Sequence, residues 1–355
     1  MALAVRTSCH QVSALCLTSL RALRFIQNLP IPPTQSVVPF IPYLLHSAEP
    51  SIPPTQSVVL HTPPPPLPQT RNTRYSQHMF LTPYTHLTWA YQLHYHLCFR
   101  THRRHPFLHT RKDLPAKTLN ALCALHGYHS LSLKIRPSDV QLLLSLRPDH
   151  QISTVLKKLK GESSRVVCQE LGLQPPFWGR GYLARSAGRA TARAVKAYLE
   201  RQASHHGYTD RWRPPVFRFR AAVPKMLSVA HGSFDLKHHL VFATRFRRGV
   251  FDSSLGEALV KYWLKVAAKR KFALDQASVL PDHVHLIVRI TPKMSIEECA
   301  LLLMNNGQHF VGTKYPERLI EAKVDQLWQP SPYAGTCGEL STALLKSFLE
   351  RENQL

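Results

Sequence analysis

The chain has 355 residues, 45 of them Lys or Arg against 21 Asp or Glu, for a formal charge of +24. That excess points to a polyanionic partner, because clustered cations gain affinity by releasing phosphate counterions. No apolar run is long enough for a membrane-spanning helix, so no membrane partner is expected. The seven cysteines (Cys9, Cys16, Cys98, Cys123, Cys168, Cys299, Cys337) lack CxxC spacing, so neither a zinc ribbon nor a disulfide framework is indicated, and a reducing interior is expected.

Residues 1–79 read as a low-complexity extension. IPPTQSVV occurs at 31–38 and again at 52–59, and 63–66 is a proline run, so no packed core is expected there. An exact eight-residue repeat also resembles translated repetitive DNA, which puts the expected native start at Met79. The rival reading is an organelle transit peptide, from the acid-free start with Arg6, Arg21 and Arg24.

From residue 80 the chain reads as two copies of one unit, 80–203 and 231–355, joined by a linker at 204–230. YHLCFRTHRR, from Tyr95 to Arg104, matches HHLVFATRFRR, from His238 to Arg248, with one insertion. A constant 144 residues then separates Asp139 from His283, Gln141 from His285 and Pro148 from Pro292. Further on the offset becomes 150 and pairs Trp178 with Trp328, Gly188 with Gly338, Lys196 with Lys346, Tyr198 with Phe348 and Gln202 with Glu352.

The elements are clearest in the second copy. A strand at 237–244 leads into a basic turn at 245–248. A helix follows at 255–271, with Leu259, Val260, Trp263, Leu264 and Ala267 at helical spacing. Strands at 272–279 and 283–290 flank a turn at Pro281 and Asp282. A helix at 295–310, a loop, a strand at 333–336 and a closing helix at 341–352 complete the unit. The first copy reads the same way, with a shorter connection before Trp178. This order predicts an α+β fold in which each copy is a ferredoxin- or RRM-like antiparallel sheet with helices mainly on one face.

His283 and His285 alternate with Val284 on a strand, so both imidazoles share one face and form half of a divalent-metal site. Two surface histidines are the plainer alternative. Tyr198 and Gln202 lie four apart on a helix, hence on one face. A tyrosine phenol beside a metal can attack phosphorus, although a half-buried structural tyrosine would look the same. The first copy has Asp139 and Gln141 in place of the histidines, and the second has Phe348 and Glu352 in place of Tyr and Gln. Neither copy alone is complete.

In the linker, Arg211, Arg213, Arg218 and Arg220 alternate with Trp212, Phe217 and Phe219. The pattern suits either a strand laid along single-stranded DNA, with aromatic rings stacking on bases, or an ordinary edge strand. Other candidates for DNA contact are Arg103, Arg104, Arg247 and Arg248 in the basic turns, with Lys157, Lys158 and Lys160; solvated charge is the alternative for each.

HHLVFATRFRR, DHVH, LWQPSPYAGTCG and a terminal helix with Tyr and Gln four apart together resemble the single-tyrosine HUH transposases of the smallest insertion sequences and their REP-associated relatives. The resemblance implies that two histidines and the glutamine hold Mg²⁺ or Mn²⁺, and that the tyrosine forms a 5′-phosphotyrosine link to hairpin-ended single-stranded DNA in a bacterial cytoplasm. It also implies dimers that work in trans. Carried over, Tyr198 is the nucleophile and His283, His285 and Gln202 are the metal ligands. Asp139, Gln141, Phe348 and Glu352 then make up a degenerate second site. The expected whole is an intramolecular pseudo-dimer with one hybrid active site and no further oligomer. A catalytically inactive hairpin-DNA-binding protein is the alternative function, and a replication initiator a weaker one.

Overall fold

The computed structural model describes residues 81–188, 215–223, 227–229 and 232–338. Both repeats lie within a single unit, Tyr75–Leu355. The readings of the N-terminal extension, Tyr198, Gln202, Arg211, Arg213, Trp212, Phe348 and Glu352 fall outside the described residues.

The first repeat runs β2 (His94–Arg100), α1 (Asp113–Leu125), β3 (His129–Ile135), β4 (Asp139–Ser145), α2 (Ile152–Leu171) and β5 (Tyr182–Ala187), preceded by a short β1 (Ala90–Gln92). In the second repeat the same order recurs as β8 (Lys237–Ala243), α3 (Ser253–Arg270), β9 (Ala273–Leu280), β10 (His283–Arg289), α4 (Ile296–Lys314) and β11 (Tyr333–Cys337). An extra helix, α5 (Pro316–Glu321), occupies a stretch expected to be loop, with Pro316 in its first turn where a missing N–H costs nothing. Between the repeats lie β6 (Phe217–Arg220) and β7 (Gly232–Asp235).

Local chemistry sets the second repeat's helices. Asp252 caps α3 by accepting the Leu255 N–H at 2.9 Å. Ser295 caps α4 by accepting the Glu298 N–H at 3.1 Å, and Glu297 and Glu298 face the positive end of the helix dipole. The apolar face of α3 buries Leu259, Val260 and Trp263. Trp263 stacks on Trp328 at 6.0 Å, so the tryptophan shared by the two repeats anchors a core between sheet and helices. In the first repeat its equivalent, Trp178, meets Phe99 edge-on at 4.8 Å and donates to Ser163 Oγ.

The sheets are mixed, not antiparallel throughout. One has the order β1-β11-β8-β10-β9-β6 and the other β3-β4-β2-β5-β7. Within each repeat the pairing is antiparallel; the parallel pairs, β1 with β11 and β5 with β7, arise because the segment ahead of each repeat joins the sheet of the other. Upstream of β1, Tyr84 is strapped to the second repeat. Its hydroxyl donates to the Trp328 carbonyl at 2.9 Å and accepts the Trp328 N–H at 2.8 Å.

The contacts between repeats are reciprocal. Ser153 N–H donates to the Pro292 carbonyl at 2.8 Å, and Glu297 N–H to that of Pro148 at 3.0 Å. Thr336 Oγ1 accepts the His94 N–H at 3.0 Å and donates to the Ala187 carbonyl at 2.6 Å. Its counterpart Ser186 accepts the Lys237 N–H at 2.9 Å and donates to the Cys337 carbonyl at 2.6 Å. Tyr95 Oη lies 2.8 Å from Nε2 of its counterpart His238, both buried. Gly188 N–H donates to the Gly338 carbonyl at 3.1 Å. A Cβ on Gly188 would overlap the Thr336 carbonyl, and one on Gly338 the Ser186 carbonyl, so the crossing requires glycine on both sides.

Candidate active site

β10 lies between β8 and β9 and is buried along its whole length. Val284, Leu286 and Val288 point into the helix-covered core. The pleat therefore puts His283 and His285 on the opposite face, as the alternation predicts. Both are nearly enclosed, at 4% and 5% exposure, so they are not surface histidines. Their rings lie 5.0 Å apart between centroids.

Each imidazole is held through Nδ1. His283 Nδ1 is 2.6 Å from Asp282 Oδ1, and Arg247 Nε donates to Asp282 Oδ2 at 2.9 Å. His285 Nδ1 is 3.0 Å from His239 Nε2, with the two rings stacked. Burial lowers the His239 pKa to about 4, so that ring is neutral near pH 7. With the protons assigned to Nδ1 of both His283 and His285, their Nε2 lone pairs are the ones a cation would use. The donor set fits half of an Mn²⁺ or Mg²⁺ site. Among the described residues no group of three or more His, Cys, Asp or Glu is placed to hold a metal ion.

His239, Asp282 and Ser278 were missed by the sequence reading. The sequence pattern marks Asp282 through the Pro-Asp turn that precedes the histidine pair, without giving it a role, and His239 only as part of the opening strand, although its spacing puts it on the histidine face. Ser278 stands opposite His285 on β9, and its buried hydroxyl has no hydrogen-bond partner among the described residues.

β6 resolves the linker alternatives in part. It is an edge strand antiparallel to β9, and Phe217 and Phe219 pack against the core, so these two rings are not presented for base stacking. Arg218 lies opposite Ser278, which in turn lies opposite His285, in one cross-strand row. Arg218 and Arg220 are exposed and belong to the same sheet face as the histidines.

The basic turns are short 3₁₀ segments, His102–Arg104 and Arg245–Arg247, with left-handed backbone at Arg103, Arg104, Phe246 and Arg247. Arg103, Arg247 and Arg248 are exposed, as are Lys157 and Lys158. Lys160 directs its ammonium at the Arg180 and Gly181 carbonyls, both at 3.1 Å, which fixes a loop. In the first repeat, Asp139 and Gln141 occupy the histidine positions, and Gln141 Nε2 donates to Asp139 Oδ1 at 3.2 Å. The described cysteines, Cys98, Cys123, Cys168, Cys299 and Cys337, are all free and buried. No described helix is long and apolar enough to cross a membrane.

Comparison with known proteins reproduces the duplication. A family model described as IS200-like transposase matches twice, over residues 89–202 and 232–352. The ISDra2 transposase TnpA of Deinococcus radiodurans is 24% identical over 120 residues, 34% of this chain and 86% of that protein. The transposase for insertion sequence element IS200 of Salmonella typhimurium is 23% identical over 125 residues, 35% of this chain and 82% of that protein. A solved Deinococcus radiodurans structure, assigned provisionally as a transposase, is 29% identical, covers 32% of this chain and 92% of its own, and has a TM-score of 0.27.

Proposed function

This chain belongs to the IS200-like transposase family, and from that premise we propose that it is a metal-dependent single-stranded DNA nicking and joining enzyme of the HUH type, whose one active site is shared between its repeats. The observation that carries this reading is the enclosed pair His283 and His285, each held through Nδ1 by a neighbouring side chain. In the shared site Tyr198 and Gln202 of the first repeat join the histidines of the second. The two repeats then behave as a covalently joined pseudo-dimer of ferredoxin-like units.

Two features support the sharing. The reciprocal exchange of β1 and β7 makes each sheet partly a product of the other repeat. Gly188, the last described residue before Tyr198, donates its N–H to the Gly338 carbonyl, so the described part of the first repeat ends at the border with the second.

In this mechanism the Tyr198 oxygen attacks the scissile phosphorus in line and loses its proton to solvent. The P–O3′ bond breaks, the departing 3′-oxygen is protonated, and the 5′-phosphate stays on the tyrosine. A free 3′-hydroxyl later attacks the same phosphorus, expelling the tyrosine and restoring a phosphodiester without ATP. Bound Mg²⁺ or Mn²⁺, held by His283, His285 and Gln202, would polarise a nonbridging phosphate oxygen. Asp282 and His239 keep the imidazoles oriented, and Arg218 and Arg220 give the strand a cationic path along the histidine face. One nucleophile per chain means that two element ends are cut in succession or by two chains. The substrate is hairpin-ended single-stranded DNA, and the setting a bacterial cytoplasm.

The test is a hairpin oligonucleotide incubated with Mn²⁺ and run on a denaturing gel. A covalently shifted band is expected from the natural chain and from Asp139→Ala and Phe348→Ala, but not from Tyr198→Phe, His283→Ala or His285→Ala. Hairpin binding without any shifted band would leave a DNA-binding protein without chemistry. Adduct formation by the second repeat alone would sink the shared site.

A further inference from the structure

The two basic turns are one frame built twice. In each, a threonine closing the opening strand donates its backbone N–H to the residue just before the site strand, Thr101 to the Ser138 carbonyl at 3.0 Å and Thr244 to the Asp282 carbonyl at 2.9 Å. Each threonine hydroxyl donates to the carbonyl four residues on, that of His105 at 2.7 Å and that of Arg248 at 2.6 Å. The next N–H is tied to the residue before the shared tryptophan, His102 to the Phe177 carbonyl at 2.8 Å and Arg245 to that of Leu327 at 2.9 Å. The tips are therefore held alike, and Arg103 and Phe246 both have left-handed backbone, at φ 50° and 53°. Only the side chain at the tip differs.

Phe246 is an expensive residue for that place. Left-handed backbone suits glycine or asparagine, and a bulky ring strains it. The ring is also 63% exposed, whereas Phe217 and Phe219 of β6 pack against the core. Arg245 sets its guanidinium 4.8 Å from the ring centroid, which occupies one face, and leans on Asp325 with Nε 3.7 Å from Oδ1. Arg247 and Arg248, both exposed, follow directly. Arg247 reaches Asp282 at 2.9 Å, and Asp282 holds His283, so two side chains link the turn to the histidine pair. An open ring among guanidiniums matches a base carried on a phosphate backbone, because the ring stacks and the cations neutralise. A protein partner would call for a contiguous apolar area, and the residues beside this ring are arginines. The aromatic tip stands in the repeat that has the histidines, and Arg103 in the one that lacks them.

We propose that Phe246 is the base-stacking residue of the site. An unpaired nucleobase of the DNA strand lies on the open face of the ring, and Arg248 takes a neighbouring phosphate. The turn joins the end of β8 to the start of β10 through Thr244 and Asp282, so this base lies close in the strand to the phosphate held at the histidines. The inference rests on the reading of the chain as a single-stranded DNA enzyme, but it needs neither the cation nor Tyr198.

The test is binding of the full chain to a fluorescein-labelled hairpin oligonucleotide with single-stranded arms, followed by anisotropy in EDTA, so that neither metal nor covalent chemistry contributes. Phe246→Asn should weaken binding about 5- to 100-fold, and Phe246→Tyr should match the natural chain. With arms of abasic nucleotides the natural chain should itself lose at least that much, and Phe246→Asn should cost nothing further. No loss on ordinary arms, or an equal loss on abasic arms, overturns the proposal. Phe246→Asn should melt no lower than the natural chain, since asparagine accepts left-handed backbone. A marked drop would make the ring a structural element and overturn the proposal as well. If the natural chain binds no single-stranded DNA, the proposed function falls and takes this inference with it; if it binds regardless of Phe246, this inference alone falls.

Discussion

Replacing Thr336 by Val tests the junction on which the joining of the two repeats depends. The side chains have nearly the same shape, so the change isolates one hydroxyl. That hydroxyl accepts the His94 N–H at 3.0 Å and donates to the Ala187 carbonyl at 2.6 Å, both groups of the first repeat. Thr336 is 5% exposed and Ala187 6%, so water cannot readily replace the lost partner. The two orphaned groups cost about 1–3 kcal/mol each, and the added methyl returns about 1 kcal/mol, leaving a net loss of about 1–5 kcal/mol. Urea unfolding of the full chain would read this as a lowered midpoint. Thr336→Ser, which keeps the hydroxyl, should stay close to the natural protein. Ser186→Ala removes the reciprocal hydroxyl and should cost a similar amount, with the double variant losing less than the sum because both act on one crossing. A Thr336→Val chain within about 0.5 kcal/mol of the natural one would refute the reasoning, since orphaned groups at a tight junction cannot be that cheap.

Asp282→Ala and His239→Phe should each weaken Mn²⁺ binding by about 10- to 100-fold, measured calorimetrically, because the partner that orients a ligating imidazole is lost. Arg218→Ala and Arg220→Ala should weaken single-stranded DNA binding and flatten its dependence on log salt by about 0.7–1 per arginine, with no change in the adduct formed at saturating DNA. Burial lowers His238 to about 3 and His239 to about 4 from an ordinary 6.5, so the folded state prefers both rings neutral. The stability this contributes is present above pH 6.5 and falls as the unfolded chain takes up protons below it, down to about pH 4 for His239 and pH 3 for His238. The melting temperature should therefore drop between pH 7 and pH 4, less steeply for Tyr95→Phe with His238→Leu; equal slopes would contradict the assignment.

The sequence by itself determined the duplication, the order of the described elements within each unit and the face on which His283 and His285 stand. These follow from local periodicity: residues two apart on a strand share a face whatever surrounds them. Positions matched by a constant offset also retained equivalent places, as Ser186 and Thr336 or Gly188 and Gly338 do at the crossing. Tertiary structure alone decided which edges meet. β1 has three residues and β7 four, too few to carry a pattern, and their parallel pairing with the opposite repeat depends on partners far away in the chain. It also decided the sidedness of β6, whose Phe and Arg alternation fits two opposite orientations until β9 fixes its register and turns the aromatic rings into the core. The support given by His239 and Asp282, and the enclosed Arg100 and Arg185 set opposite Asp139 and His96, emerged in the same way. A side chain's role in a site is set by neighbours across strands, and sequence order does not record that distance.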